Sequence, residues 1–401
     1  MRIGIKLFNF TGKAIYPLLL GIFLFLLFPG KALSAGFTGD ISLLTGGQYN
    51  DNIFLTKTGR VGDFITLVEP SLSLFLDSRP LTAKVSYSPK LSFYSSHSEL
   101  NETGQGVSVE VNTSPAQKLS LVARDDFLRS NMIAEQILVP GIGPIRERSL
   151  LKNNLASISA TISRIGRFEF VLTGSQLNSH IESSHSPSDL QTSTVAGSAR
   201  YVASSRTDFF LTADSGWYGF ENAPAARSQS YVAGVTHQIT ATMSSTLSGG
   251  VVFTEQGEIT HNGFTGQLRI TKRTERGSLS AVLSESVLAG VEDSEPLRAR
   301  SASLVLSRNL SSPLTMNITG SASRYTSLDG AVVRQTVLSA ATSLHYRLTS
   351  LFSVEVSYDF IDFKDDANSS NDFYNNIATV SFVVSYSKKL LNAASTIPKA
   401  P

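Results

Sequence analysis

Apolar and polar residues alternate along nearly the whole of this chain, and that rhythm limits what it can become. Between positions 351 and 386, Phe352, Val354, Val356, Tyr358 and Phe360 alternate with Ser353, Glu355, Ser357, Asp359 and Ile361. After a polar link the chain returns as Ala378, Val380, Phe382, Val384 and Tyr386, interleaved with Ile377, Thr379, Ser381, Val383 and Ser385. Successive side chains of a strand point to opposite faces, so this is a hairpin with one apolar and one polar side. The apolar side could meet a soluble core or lipid, and the rest of the sequence has to decide.

From Asp40 onward, segments of about 9–14 residues with the same alternation recur at intervals of roughly 20, separated by turn chemistry. Leu81, Ala83, Val85, Tyr87, Leu91 and Phe93 oppose Thr82, Lys84, Ser86, Ser88, Lys90 and Ser92; Val107, Val109 and Val111 oppose Ser108, Glu110 and Asn112. Weaker segments lie near 40–50, 190–202 and 228–238. The count reaches about 18 strands, an even number that suits a closed antiparallel barrel.

The connections alternate as well. Links such as Arg164–Arg167, Thr274–Gly277 and Thr349-Ser350 are short, whereas those near 51–62, 127–149, 257–262 and 363–372 are longer and polar. Short turns on one rim and longer loops on the other describe an outer-membrane barrel. Aromatics near segment ends (Tyr49, Phe64, Phe93, Tyr94, Trp217, Tyr218, Phe220, Tyr325, Tyr346, Tyr374, Tyr386) are assigned to interfacial girdles. No stretch holds a helical period. The fold expected is all-β: a transmembrane antiparallel up-and-down outer-membrane β-barrel over 36–386, with 387–401 as a flexible periplasmic tail.

Residues 1–35 read as a secretory signal. Arg2, Lys6 and Lys13 precede the apolar core Ala14–Phe28, and Ala32-Leu33-Ser34-Ala35 offers a cleavage region. Its removal takes four cations from 34 and leaves 30 against 32 acidic residues, a net charge of −2. Such a chain lacks the basic excess that nucleic acid demands. With no Cys there are no disulfides and no thiolate sites. Beyond the signal no apolar run reaches helical span length, so any membrane is crossed by strands.

If the apolar set faces lipid, the interleaved set faces a lumen. The candidates are Lys84, Lys90, Glu110, Arg124, Asp126, Glu169, Arg200, Asp208, Asp214, Arg269, Glu355 and Asp359, set among many Ser and Thr. Balanced charge and abundant hydroxyls suit a hydrated, weakly selective path for sugars or small solutes; the plainer reading is that these charges pair across strands. Barrels of this size leave an aqueous channel. The longest link, Asp126–Ser149, is unusually apolar at Ile137–Gly143 and is expected to fold into the lumen or over its mouth as a constriction, the alternative being an external lid or surface loop. No metal, nucleophile or cofactor motif occurs among the six His residues or elsewhere, and carboxylates near the rims (Asp51, Asp126, Asp214, Glu285, Asp362) are expected there without catalysis. The chain is read as neither an enzyme nor a cofactor binder.

The run Gly46-Gly47-Gln48-Tyr49-Asn50-Asp51-Asn52-Ile53-Phe54 resembles the first-hairpin motif of the beta-barrel porin 2 family, with a Tyr, then Asp-Asn, then an apolar residue at Tyr49, Asp51 and Asn52. Tyr374-Asn375-Asn376-Ile377 echoes it on the last strand. The resemblance implies an outer-membrane pore associated with exopolysaccharide export, working with periplasmic polysaccharide-export proteins. The reading is therefore passage of exopolysaccharide or other hydrophilic solutes across a Gram-negative outer membrane. A general diffusion porin and a non-conducting surface adhesin or structural barrel are the alternatives.

Overall fold

A computed structural model describes residues 36–78, 81–130, 149–182, 188–221, 223–290, 295–328 and 334–391. Residues 1–35, which include the expected signal, most of the long link (131–148) and residues 392–401 lie outside these. The alternating segments are strands of one antiparallel sheet. The first half holds β1 (Gly36–Asn50), β2 (Asp63–Asp77), β3 (Leu81–Tyr94), β4 (Glu102–Ala116), β5 (Leu119–Ser130) and β6 (Leu150–Ile165). Then come β7 (Phe168–Glu182), β8 (Ser188–Val202), β9 (Thr207–Phe220), β10 (Ala226–Thr240), β11 (Met243–Gln256) and β12 (Ile259–Thr274). The last are β13 (Gly277–Gly290), β14 (Glu295–Asn309), β15 (Leu314–Ser327), β16 (Arg334–Arg347), β17 (Phe352–Asp365) and β18 (Phe373–Leu391). Each strand pairs with its sequence neighbours, and β1 pairs with β18, so the 18-stranded sheet closes on itself. Closure removes the free edge strands of an open sheet, which is what makes a sheet tolerable in lipid, although β12 and β13 pair only from Gly266–Glu285 to Thr274–Gly277.

The register shows which face is which. Ile41, Leu43 and Tyr49 of β1, Phe64, Leu72 and Leu74 of β2, and Val380, Phe382 and Tyr386 of β18 are all exposed. They sit opposite one another across the pairings: Tyr49 faces Phe64, Ile41 faces Leu72, and Ile41 faces Tyr386. The same exposed apolar set runs around the barrel through Leu172, Leu211, Leu247, Phe264, Leu283 and Leu304. An apolar surface this continuous belongs in lipid rather than water. The other parity is more buried and forms the inner wall.

Connections at the N-terminal end of β1 are tight. Ala203 N–H donates to Thr207 O at 3.0 Å, Leu348 N–H to Phe352 O at 2.9 Å, and Gly166 takes φ +65° in the β6–β7 turn. Most links at the other end are longer, among them 51–62 and the two that hold single 3₁₀ turns at Ser98–Leu100 and Ser369–Asn371. The link expected at 257–262 is shorter, because β12 begins at Ile259 and leaves Gly257, at φ +58°, to make the turn.

Two further expectations are corrected. The final strand runs past Tyr386 to Leu391, with Ser387, Lys388 and Lys389 opposite Asp40, Gly39 and Thr38. Since β1 starts at Gly36, its backbone groups need these partners whatever their side chains, and pairing overrides polarity. Nor do all the proposed girdle aromatics face out: Tyr94 is 7% exposed on the inner face while Phe93 is 46% exposed. Tyr218 and Phe220 pack on an inner cluster, and Tyr325 on another. Neighbours in a strand face opposite ways, so Phe93-Tyr94 and Trp217-Tyr218 can each supply the girdle with one ring only.

Candidate functional site: the barrel interior and its first loop

The candidate charges all share the inner parity, and many are neighbours. Lys84, Glu110 and Arg124 stand side by side across β3, β4 and β5. Arg124 Nε donates to Asp126 Oδ2 at 2.5 Å, and Asn112 donates to Glu110 at 2.8 Å. Arg200 lies between Glu169, at 3.8 Å, and Asp208, which it also pairs. Lys90 reaches Glu69 at 3.9 Å, and Asp214 accepts from Ser230 at 2.5 Å. Arg269 on β12 and Glu355 and Asp359 on β17 stand apart from these groups, with Glu355 opposite His345. The structure does not bring the set to one point; it spreads it around the wall, part of it as local pairs.

Between the charges the wall is hydroxyl. Cross-strand pairs join Ser73 to Ser86 at 2.8 Å, Ser284 to Ser301 at 2.7 Å and Ser321 to Ser339 at 2.7 Å. Thr236 to Thr246 at 3.1 Å and Ser159 to Thr173 at 3.3 Å continue the pattern. Each hydroxyl keeps donor or acceptor capacity after pairing and can serve water or a sugar.

The loop-bearing end of the interior holds packed clusters against its wall. Residues 51–62 fold inward from the rim. Ile53, fully buried, joins Ile65, Leu67 and Tyr94 on the inner face of β2 and β3. Leu55 joins Val337, Ile361, Phe363 and Phe373 on the inner face of β16 to β18. Leu55 adopts φ +55°, a left-handed conformation that costs a non-glycine residue about 1–2 kcal/mol; its burial offsets that cost. Inner-face residues at this end are buried elsewhere too, including Leu151, Ile181, Leu190 and Leu297.

Polar anchors hold the loop. The Asn50 side chain accepts from Asn52 N–H at 2.9 Å, an Asx turn. Fully buried Asn52 donates to Thr56 O and Tyr374 O, both at 2.9 Å, and accepts from Thr56 N–H at 3.0 Å. Asp51 accepts from the Asn376 N–H at 2.8 Å and its side-chain amide at 2.7 Å, while Arg60 reaches Asp51 at 2.9 Å and lies 3.9 Å over the Tyr374 ring. Tyr358 O–H donates to Asn376 at 2.6 Å. The echo between 49–52 and 374–377 thus has a cause: the two runs are partners across the β1–β18 seam. Lys57 bonds Ser369 O at 2.8 Å and Asp372 at 3.1 Å. The Asp372 carboxyl is held below its ordinary range chiefly by the Asp365 N–H, with Lys57 adding to it.

The constriction expected from Asp126–Ser149 falls mainly on 131–148, outside the described residues. The sequence treated 51–62 as an ordinary polar loop; the signal that could have shown its inward fold is Ile53-Phe54-Leu55, an apolar triplet inside a polar link. Among the described residues no cluster of metal-ligating side chains occurs, and no helix is long and apolar enough to cross a membrane, which says nothing about strands.

Architecture and face polarity define the class: a closed transmembrane antiparallel β-barrel. Among solved structures, Pseudomonas aeruginosa OccK2 (OpdF) is similar with a TM-score of 0.50 at 12% identity, over 89% of this chain and 99% of that one. P. aeruginosa OccK1 (OpdK) scores 0.49 at 13% identity, over 89% and 100%. These likenesses concern the fold alone. No family model matches the chain, and neither does any curated protein.

Proposed function

We propose that this protein is an outer-membrane pore for hydrophilic solutes whose loop-side mouth is closed in the conformation described. The observation that carries the reading is the contrast between the two faces of one closed sheet. The outer face carries a broad apolar band, broken toward the loop-bearing end by Glu285, Arg300 and Arg324, and the inner face carries paired hydroxyls and charges of both signs, several of them paired. A hydroxyl-rich, nearly neutral wall can exchange hydrogen bonds with a moving sugar without holding it by a strong field. Eighteen strands leave room for a water-filled bore.

Within that reading, the passing solute is an exopolysaccharide, exported with periplasmic partners after the signal 1–35 has been removed. Its support is the Tyr49, Asp51, Asn52 resemblance and the wall chemistry. Lys84, Lys90, Glu110, Arg124, Asp126, Glu169, Arg200, Asp208, Asp214, Arg269, Glu355 and Asp359 would be its charged contacts, with Tyr49 at the girdle. Residues after 391 would extend into the periplasm. The packed mouth favours a second reading, a barrel that does not conduct and works through its external surface.

Single-channel recording in a planar bilayer, with and without large neutral oligosaccharides, separates them. Conductance blocked reversibly by the oligosaccharides supports sugar passage. Conductance indifferent to them supports a general diffusion pore, and a silent, fully folded barrel supports the surface role.

A further inference from the structure

The outer wall of β11–β16 carries a groove of about 670 Å³ that the pore reading leaves unused. Small residues, Gly266, Ala302 and Ala322, form its floor, and Leu247, Phe264 and Leu283 its sides. All have the lipid-facing parity. Toward the loop-bearing end, where β14 begins and β15 ends, the groove meets Arg300, Arg324 and Glu285.

Arg300 and Arg324 are directly opposite one another across β14 and β15. Two cations in that position repel, and the strand pairing compensates only at Arg300, which faces Glu285 on β13, whereas Arg324 faces Thr336 on β16. Glu285 answers only in part: it lies 3.1 Å from Arg300 and is shared with Arg298 at 3.7 Å. Arg324 has Asp366 at 3.8 Å, from the loop after β17. Three guanidinium groups thus meet two carboxylates, and Arg300 and Arg324 remain 62% and 54% exposed. An apolar channel capped by an opposed arginine pair matches an acyl chain with a phosphoryl head, since guanidinium and phosphate share a bidentate geometry.

We infer that this groove binds a phosphorylated membrane lipid, its acyl chain along Gly266, Ala302 and Ala322 and its phosphoryl oxygens between Arg300 and Arg324. The inference rests on the barrel lying in an outer membrane, with the groove in the loop-side leaflet. There the lipid would complete the charge balance of the wall.

The test uses the full barrel inserted into phosphatidylcholine vesicles containing a small fraction of bisphosphorylated lipid A, extracted gently and weighed by native mass spectrometry. Insertion is scored first, by heat-modifiable mobility. The wild type should retain lipid A, and Arg300→Gln with Arg324→Gln should retain about tenfold less, a loss of about 1.4 kcal/mol. Glu285→Gln, which removes a competing anion, should retain more. Fully dephosphorylated lipid A should not be retained, and millimolar inorganic phosphate should not displace the lipid. Equal retention by wild type and double variant overturns the inference, as does retention without phosphate or displacement by phosphate alone. Failure to insert would overturn the membrane reading itself and this inference with it.

Discussion

At the scale of single residues, the most consequential side chains are those of the first loop. Asn52 has no solvent contact and uses both ends of its amide on the backbone, holding residue 56 of its own loop and residue 374 of the closing strand. Asn52→Ala strands those groups, a loss of about 1–3 kcal/mol. It should raise amide exchange across 51–62 while β8 and β14 stay protected; unchanged exchange would refute the anchoring role. Leu55→Ala removes a buried side chain from the cluster around Phe363 and should loosen the same segment by about 2 kcal/mol or more. The lowered Asp372 carboxyl gives a sign for pH. A carboxyl depressed in the folded state stabilises it above the ordinary value of 3.8, and the stabilisation is lost as pH falls through the lowered value. The tie from Lys57 should therefore be insensitive to pH from 5 to 8 and release only below about 4. A label on the loop that gained mobility between pH 7 and 5 would contradict this.

At the scale of elements, strand pairing decides more than side-chain polarity. Lys388 and Lys389 belong to β18 because Gly39 and Thr38 require partners, so truncation after Tyr386 should weaken barrel closure and reduce the heat-modifiable fraction in a refolding gel. Full yield would mean that this pairing is dispensable. Strands also approach closely where glycine allows it. A Cβ on Gly250 would lie 2.0 Å from Tyr231 O, so Gly250→Ala should part β10 from β11 and destabilise the barrel by about 1–3 kcal/mol in urea titration. These elements differ in how well the sequence announces them. Two-residue alternation is local, so β3, β4 and β17 can be read directly from their residues. The inward fold of 51–62 cannot, because Leu55 finds Val337, Ile361 and Phe373 only once the ring has closed and brought distant strands together. Likewise Arg124, Arg200 and Glu110 could be assigned a face by parity, but their partners depend on register, which the alternation alone does not set. The echo of 49–52 at 374–377 was visible, yet its meaning required the β1–β18 seam.

At the scale of the whole molecule, one sheet separates two solvents. Its apolar parity meets lipid, its hydroxyl parity encloses the interior, and loop 51–62 closes one side of the mouth by burying Ile53 and Leu55 against the inner wall. In the proposed pore, opening that side of the mouth requires the loop to leave, and the Asp51–Asn376 and Asn52–Tyr374 contacts would set how readily it does so. The most direct test compares single-channel conductance of the wild type with that of an Asp51→Ala, Asn52→Ala double variant in the same bilayer. The variant should spend a larger fraction of time in a high-conductance state, with wild-type unitary size when open. Equal open probability in two correctly folded barrels would contradict the claim that this loop closes its side of the mouth.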